Sequence, residues 1–210
     1  MKKYHFIDLF AGAGGLSEGF VRAGFKPIAH VEMNKDACDT LRTRTAFHWL
    51  KEHGRMEEYY DYLRNIISRD ELWAKVPSHL INSIINTEIS EETLPNIFKQ
   101  IDVELGKKSV DVVIGGPPCQ AYSVAGRARK NMDNDPRNHL YKHYVKFLER
   151  YQPKMFVFEN VPGILSANNG HYLEMIFQAV REAGYELDKK ILNAKDFGVL
   201  QDRKRVIIIG

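Results

Sequence analysis

Short runs of β-branched and aromatic residues alternate along this chain with longer stretches whose apolar positions recur every three or four residues, a pattern that predicts an α/β protein. Tyr4 to Phe10 reads as a first strand, Pro27 to Glu32 as a second, and the region around residues 84 to 89 as a third. Val110 to Ile114 is β-branched and almost continuously apolar, which predicts a central strand buried on both faces of a parallel sheet. Lys154 to Phe158 follows as a fifth, and the tail predicts two further strands, residues 185 to 192 and 206 to 209, joined by a basic turn. Helices are expected from the glycine-rich turn to Ala23, from Asn34 onward, from a start at Ser90 to Thr93, and from Leu140 to Arg150. Residues 46 to 82 form a helical insertion of one or two amphipathic helices, with Tyr59, Tyr60, Leu63, Ile66 and Ile67 on one stripe.

At 210 residues and 44% hydrophobic, the chain suits one α/β domain with a full core. No apolar run reaches membrane-spanning length, and the start passes directly into a strand pattern without the apolar block of a signal peptide. Cys38 and Cys119 are the only cysteines, which argues against a disulfide framework and for a reducing compartment, so a cytoplasmic protein is expected. The net charge of +3 is small but unevenly spread. Residues 119 to 154 carry eight basic and three acidic side chains, whereas residues 46 to 105 carry six basic and eleven acidic ones. That arrangement suits an anionic polymer approaching from one side. Lys142, Lys146 and Arg150, spaced by four, read more simply as one solvated helix face.

The candidate chemistry gathers at strand ends. Gly12 and Gly14 lie in a strand-to-helix turn where backbone can approach a ligand and the helix offers unpaired N–H groups, an arrangement also open to a tight turn without a ligand. Glu32 ends the second strand 20 residues after Gly12, where a carboxylate can accept from both ribose hydroxyls of a nucleoside. Cys119 leaves the central strand through Gly115-Gly116-Pro117-Pro118, stiffened by two prolines, with Arg127, Arg129 and Lys130 downstream to favour the thiolate. Glu159 and Asn160 reach the same rim from the next strand. Cys38 falls on a helix stripe and is structural. His139 and His143 lack a carboxylate partner between them, so no metal is assigned.

The ordered motifs DLFAGAGGLSEGF at 8 to 20, Glu32, GGPPCQAYS at 115 to 123, DPRNHLY at 135 to 141, ENV at 159 to 161 and QDRKR at 201 to 205 resemble those of the DNA (cytosine-5)-methyltransferases over essentially the whole chain. The resemblance implies a Rossmann-like, S-adenosylmethionine-dependent methyltransferase fold, a mostly parallel doubly wound sheet with an antiparallel last strand. It implies S-adenosylmethionine as methyl donor, with Phe10 on the adenine, Gly12 and Gly14 near the methionine part, and Glu32 on the ribose. Leu16, Met33, Glu88, Ile89, Pro117 and Leu140 complete the implied pocket, Glu88 standing where the family usually has Asp. Cys119 would add to carbon 6 of cytosine, with Glu159 as a buried acid at ring nitrogen 3, Arg203 at the carbonyl oxygen and Arg205 supporting the same turn or a phosphate. The substrate implied is double-stranded DNA with the cytosine rotated out of the stack. Gln120, Ser123 and Arg127 would face it. A bacterial cytoplasmic restriction–modification setting with a cognate endonuclease also follows. Residues 1 to 210 correspond to the catalytic domain, and the target-recognition region is expected to lie outside them, in a downstream polypeptide. A tRNA-methylating branch shares the same motifs, and a non-catalytic donor-binding subunit is the alternative from another class.

Overall fold

The computed structural model describes residues 3–118 and 139–210. Seven strands, β1 (His5–Leu9), β2 (Lys26–Glu32), β3 (Ile84–Asn86), β4 (Val112–Gly115), β5 (Met155–Asn160), β6 (Asp188–Asn193) and β7 (Lys204–Ile209), form one sheet in the order β3-β2-β1-β4-β5-β7-β6. The pairs from β3 through β5 are parallel, and β7 runs antiparallel to both β5 and β6. This is the expected mostly parallel, doubly wound sheet with its last strand reversed. Strand order turns back between β1 and β4, and sheets of this kind bind ligands outside the carboxyl ends at such a switch point.

Alternation along the strands divides the core. Ile7, Leu9, Val113, Phe156, Phe158, Val206 and Ile208 face one side with α6 (Leu94–Leu105), α7 (Leu140–Tyr151) and α8 (His171–Glu182). Phe6, Val112, Ile114 and Val157 face the other, beneath α1 (Gly15–Arg22). Tyr144 of α7 is fully buried on the first side, and its hydroxyl lies 2.9 Å and 3.1 Å from the carbonyl oxygens of Val113 and Val157, tying the helix to the two strands that lead to the site. Helix α8 was not among the expected elements, although Tyr172, Leu173, Ile176, Phe177 and Val180 carry its helical period and are buried.

The insertion differs from the one or two amphipathic helices expected. Helix α2 (Lys35–Glu52), capped by the Asn34 side chain on the Ala37 N–H, runs well into it, and α3 (Met56–Leu63), α4 (Arg69–Ala74) and α5 (Ser78–Asn82) follow. The stripe from Tyr59 to Ile67 does not belong to one helix, because α3 stops at Leu63 and Asn65 takes a left-handed φ of 58°. Tyr59 and Ile67 pack on a small separate core of Ala46, Leu50, Leu72 and Val76, while Tyr60, Leu63 and Ile66 are exposed. Ser68 and Glu71 form the capping box that starts α4. Ser90 to Thr93 form a hydrogen-bonded turn, so α6 starts four residues later than expected, with proline in its first turn. Among the described residues no helix is long and apolar enough to cross a membrane.

Asp39 fastens the insertion to the body. Its buried carboxylate accepts from Lys35 at 2.9 Å, from Arg42 at 2.8 Å and from Arg69 of α4 at 3.3 Å. The Lys35 hydrogen bond, together with the Arg42 charge, holds the carboxyl below the usual aspartate range against the opposing effect of burial. A lowered folded pKa stabilises fully above the unfolded value, about 3.9, and that contribution is lost as the pH falls through the folded one. Asp39→Asn should therefore cost about 1 kcal/mol near neutral pH, discounted for the exposure of Lys35 and Arg69. Urea titrations of both proteins across the acid range should show the gap closing on acidification, and a pH-independent gap would rule out the ion pairs as its source.

Candidate active site

The turn after β1 is held in an unusual backbone shape. Phe10 has a φ of 54°, rare for a bulky residue, and Gly14 caps α1 at a φ of 86°. The positive φ favours glycine at position 14, and a Cβ there would also stand 2.8 Å from the end of the Leu41 side chain of α2. Glu32 at the end of β2 closes the arrangement. One carboxylate oxygen accepts from the Gly12 N–H and the other from the Asn34 N–H, both at 2.8 Å. Its carbonyl oxygen accepts from Asn86 at 3.1 Å and from the Thr87 N–H at 3.0 Å, which joins the ends of β2 and β3.

These strand ends surround a cavity of about 450 Å³, within the usual range for a small-molecule site. Phe10, Glu32, Met33, Glu88, Ile89 and Leu140 all line it, so six of the expected pocket residues, drawn from four separate chain segments, meet here. Gly116 and Pro118 of the turn leading to Cys119 line it as well, as do Asn34 and Thr87, which the sequence did not mark as pocket residues. The signal for Asn34 and Thr87 was their place directly after strand ends. Gly12 contributes through its bond to Glu32, whereas Gly14 sits behind the turn against Leu41. Leu16 packs into the core beneath α1, and Pro117 is buried with its carbonyl turned to Asn160, leaving Pro118 on the cavity wall. The residues fit a nucleoside: apolar side chains to hold a base and a carboxylate whose spare lone pairs can accept from hydroxyls.

Cys119, Gln120, Ser123 and Arg127 lie outside the described residues. Pro118 precedes Cys119 directly, however, and the end of β5 lies against the same turn. A Cβ on Gly116 would come within 2.8 Å of a Glu159 carboxylate oxygen and 3.2 Å of its carbonyl oxygen. Glu159 is not the buried acid expected. Its side chain is 27% exposed and its other carboxylate oxygen pairs with Arg205 Nε at 2.7 Å. Register explains the pair, since Glu159 sits opposite Ile207 on antiparallel strands and Arg205 is two residues along on the same face. Arg205 thus contacts the acid itself, a role not anticipated for it. Arg203 is exposed before β7, its N–H donating to Asn193 at 3.1 Å.

The flanking charges resolve as structure. Lys146 pairs with Glu91 and Arg150 with Asp102, so these cations brace α7 against the α6 region. Burial pushes His143 below the usual imidazole range, and its Nδ1 lies 3.4 Å from Glu91. Burial pushes the Cys38 thiol up, and its sulfur donates to the Glu32 carbonyl at 3.3 Å. Among the described residues, no group of three or more His, Cys, Asp or Glu side chains could hold a metal.

A fold of this order with a nucleoside-sized cavity at its switch point defines a methyltransferase-like α/β protein. The family model for C-5 cytosine-specific DNA methylase matches residues 4–77 and 65–210, and the chain belongs to that family. Its relatives include the type II methyltransferase M.Bpa9945I of Bacillus paralicheniformis, 38% identical over 97% of this chain and 53% of that protein. M1.HphI of Haemophilus parahaemolyticus is 37% identical over 98% of this chain and 45% of that protein. Among solved structures, a prophage-encoded Escherichia coli protein assigned as a DNA modification methyltransferase superposes with a TM-score of 0.64 at 26% identity, covering 99% of this chain and 46% of that one. The Schizosaccharomyces pombe Dnmt2 methyltransferase shares the fold, with a TM-score of 0.55 at 16% identity over 99% of this chain and 49% of that one. The chain spans about half the length of the curated relatives it matches.

The two arginines should separate in a stability measurement. Arg205→Ala removes a partly buried pair and should cost about 0.5–1.5 kcal/mol. Arg203→Ala, whose side chain has no partner among the described residues, should stay within about 0.5 kcal/mol. Chemical denaturation of both variants decides, and equal losses would mean that the Glu159–Arg205 pair contributes nothing.

Proposed function

We propose that this chain is the catalytic part of an enzyme that transfers a methyl group from S-adenosylmethionine to carbon 5 of cytosine in double-stranded DNA, through a covalent bond to Cys119. The observation that carries the reading is the meeting of two half-sites on one rim: a nucleoside-sized cavity bounded by Phe10 and Glu32, and the Gly116–Pro118 turn in contact with Glu159. A donor in that cavity and a base beside Glu159 would share the Gly116–Pro118 wall. Membership of the cytosine-5 family supplies the reaction class.

Carbon 5 of cytosine is a weak nucleophile, so the ring must first be activated. The Cys119 thiolate adds to carbon 6, opening the 5,6 double bond, and the displaced electron pair moves toward nitrogen 3. Glu159 meets that charge as proton or hydrogen-bond donor. Arg203 and Arg205 are the cations available to the ring carbonyl oxygen, Arg205 from its position on Glu159. When bound, S-adenosylmethionine supplies an electrophilic methyl group, which carbon 5 takes as the carbon–sulfur bond breaks and a neutral thioether leaves. Loss of the carbon 5 proton to a base or to water then restores the double bond and expels the thiolate, and nitrogen 3 returns to Glu159 any proton it took. On the donor side, Glu32 accepts from the ribose hydroxyls, with Phe10, Ile89 and Leu140 enclosing the adenine and Glu88 near its amino group. Gly12, Gly14, Leu16, Met33 and Pro117 support that pocket. Gln120, Ser123 and Arg127 face the nucleic acid. The type II designation of the relatives supports a restriction–modification setting with a cognate endonuclease, in the bacterial cytoplasm.

Methyl transfer from labelled donor to duplex DNA and to tRNA, measured side by side, tests the substrate. Cys119→Ser should abolish turnover and trapping by 5-fluorocytosine DNA while leaving donor binding nearly intact. Glu159→Gln should slow adduct formation by about 10²- to 10⁴-fold. Serine turnover at the normal rate would sink the covalent route.

Donor binding gives an independent check. Glu32→Ala loses the ribose acceptor and also frees the Gly12 and Asn34 N–H groups, so the affinity should fall at least about tenfold on the worth of one charge-assisted hydrogen bond. Calorimetry showing equal affinity would mean that the nucleoside sits elsewhere.

A further inference from the structure

The carboxyl end of β5 carries a second polar side chain, adjacent to Glu159. Asn160 is buried, with 5% of its surface exposed, a setting in which an unbonded carboxamide is costly. Both ends of its amide are used. The oxygen accepts from the Val161 N–H at 2.9 Å, and the nitrogen donates to the Pro117 carbonyl at 3.1 Å. The partners leave no ambiguity of orientation, because an N–H can only donate and a carbonyl can only accept.

The position of this bond gives it significance. Pairing of β4 with β5 ends at Gly115 opposite Phe158, and the Asn160–Pro117 bond lies two residues further along both chains. There the backbone cannot continue the ladder unaided, since neither Pro117 nor Pro118 has an N–H to donate. Between the ladder and this bond, Gly116 lies close to Glu159, where a Cβ would stand 2.8 Å from its carboxylate oxygen and 3.2 Å from its carbonyl oxygen and so would displace the acid. We infer that Asn160 is a positioning residue: its carboxamide extends the β4–β5 pairing past the last ladder bond and sets how the turn bearing Cys119 lies relative to Glu159. The inference rests on the reading of Cys119 as nucleophile and Glu159 as its acid. Those two groups must act on one ring, one adding to carbon 6 while the other meets nitrogen 3. They come from different strands, so the join between the strand ends sets their separation. A misplacement of about 1 Å in such a pair can cost on the order of 100-fold in rate.

Three variants of the full-length enzyme test it. Asn160→Ala removes the donor; Asn160→Asp keeps the shape and the acceptor for Val161 but turns a second acceptor toward the Pro117 carbonyl; Asn160→Ser leaves a shorter hydroxyl donor. The probe is a long duplex of mixed sequence carrying 5-fluorocytosine, whose covalent adduct persists because fluorine cannot leave carbon 5 as a proton does. For alanine and aspartate the rate of adduct formation should fall about 10- to 100-fold, aspartate at least as far as alanine, with serine between them and wild type. Donor affinity by calorimetry should fall clearly less than the adduct rate, since the turn gives the donor cavity only its Gly116 and Pro118 wall while Phe10, Glu32, Ile89 and Leu140 line the rest. Adduct formation at the wild-type rate would overturn the inference. So would a larger loss for alanine than for aspartate, which is the order expected of space-filling alone, or a loss of donor affinity in step with the rate. Wild-type enzyme that binds donor yet forms no adduct would instead remove the covalent reading, and this inference with it.

Discussion

The carboxylate of Glu32 is the constraint from which the cavity at the switch point follows. Its two oxygens accept the N–H groups of Gly12 and Asn34, which belong to the turns after two adjacent parallel strands. Backbone donors at such turns have no ladder partner, and in a closed site they would otherwise need a ligand or water. By taking one from each turn, Glu32 locks the ends of β1 and β2 together, and it lines the cavity with acceptor capacity to spare. Phe10 keeps its positive φ within this frame, a strained conformation of the kind that surrounding structure must over-determine. Residues separated by more than a hundred positions in the chain, from Phe10 to Leu140, reach one cavity on that account.

The ends of β4 and β5 are built on a different principle, close approach. Gly116 admits the Glu159 carboxylate to van der Waals contact with the β4 turn, and the antiparallel course of β7 brings Arg205 onto the same acid. An all-parallel sheet would have sent β7 away in the other direction and carried Arg205 to the opposite edge. The reversed last strand, a feature of the fold as a whole, thus has a local chemical effect. Glu159 retains 27% exposure and a cationic neighbour, conditions different from those of a desolvated acid in an apolar pocket.

The insertion follows α2 and not the sheet. Its small core of Ala46, Leu50, Leu72 and Val76 is separate from the clusters on the sheet, and Asp39 of α2 links it to the body through Arg69 of α4, with Lys35 and Arg42 of its own helix completing the carboxylate's partners. Three short helices follow the long one, separated by left-handed residues at Gly54 and Asn65 and, before α5, by Pro77.

The strands and their parallel sense up to β5 were legible because burial on both faces demands continuous β-branched runs, and Glu32 stood out as a carboxylate ending a strand, whereas Phe10 and Leu140 entered through the family resemblance; all three line one cavity. Local signals of that kind do not depend on distant partners. The insertion was misjudged for the same reason in reverse: the stripe from Tyr59 to Ile67 has helical spacing, but spacing alone does not reveal that Asn65 breaks the helix. Whether Glu159 would be buried, which arginine would meet it, and that Asn160 would hold Pro117 depended on register between strands far apart in the chain. Periodicity determines which face of a strand is apolar; only the packed sheet decides what stands opposite it, since one residue of slip between β5 and β7 would have sent Arg205 to the other side.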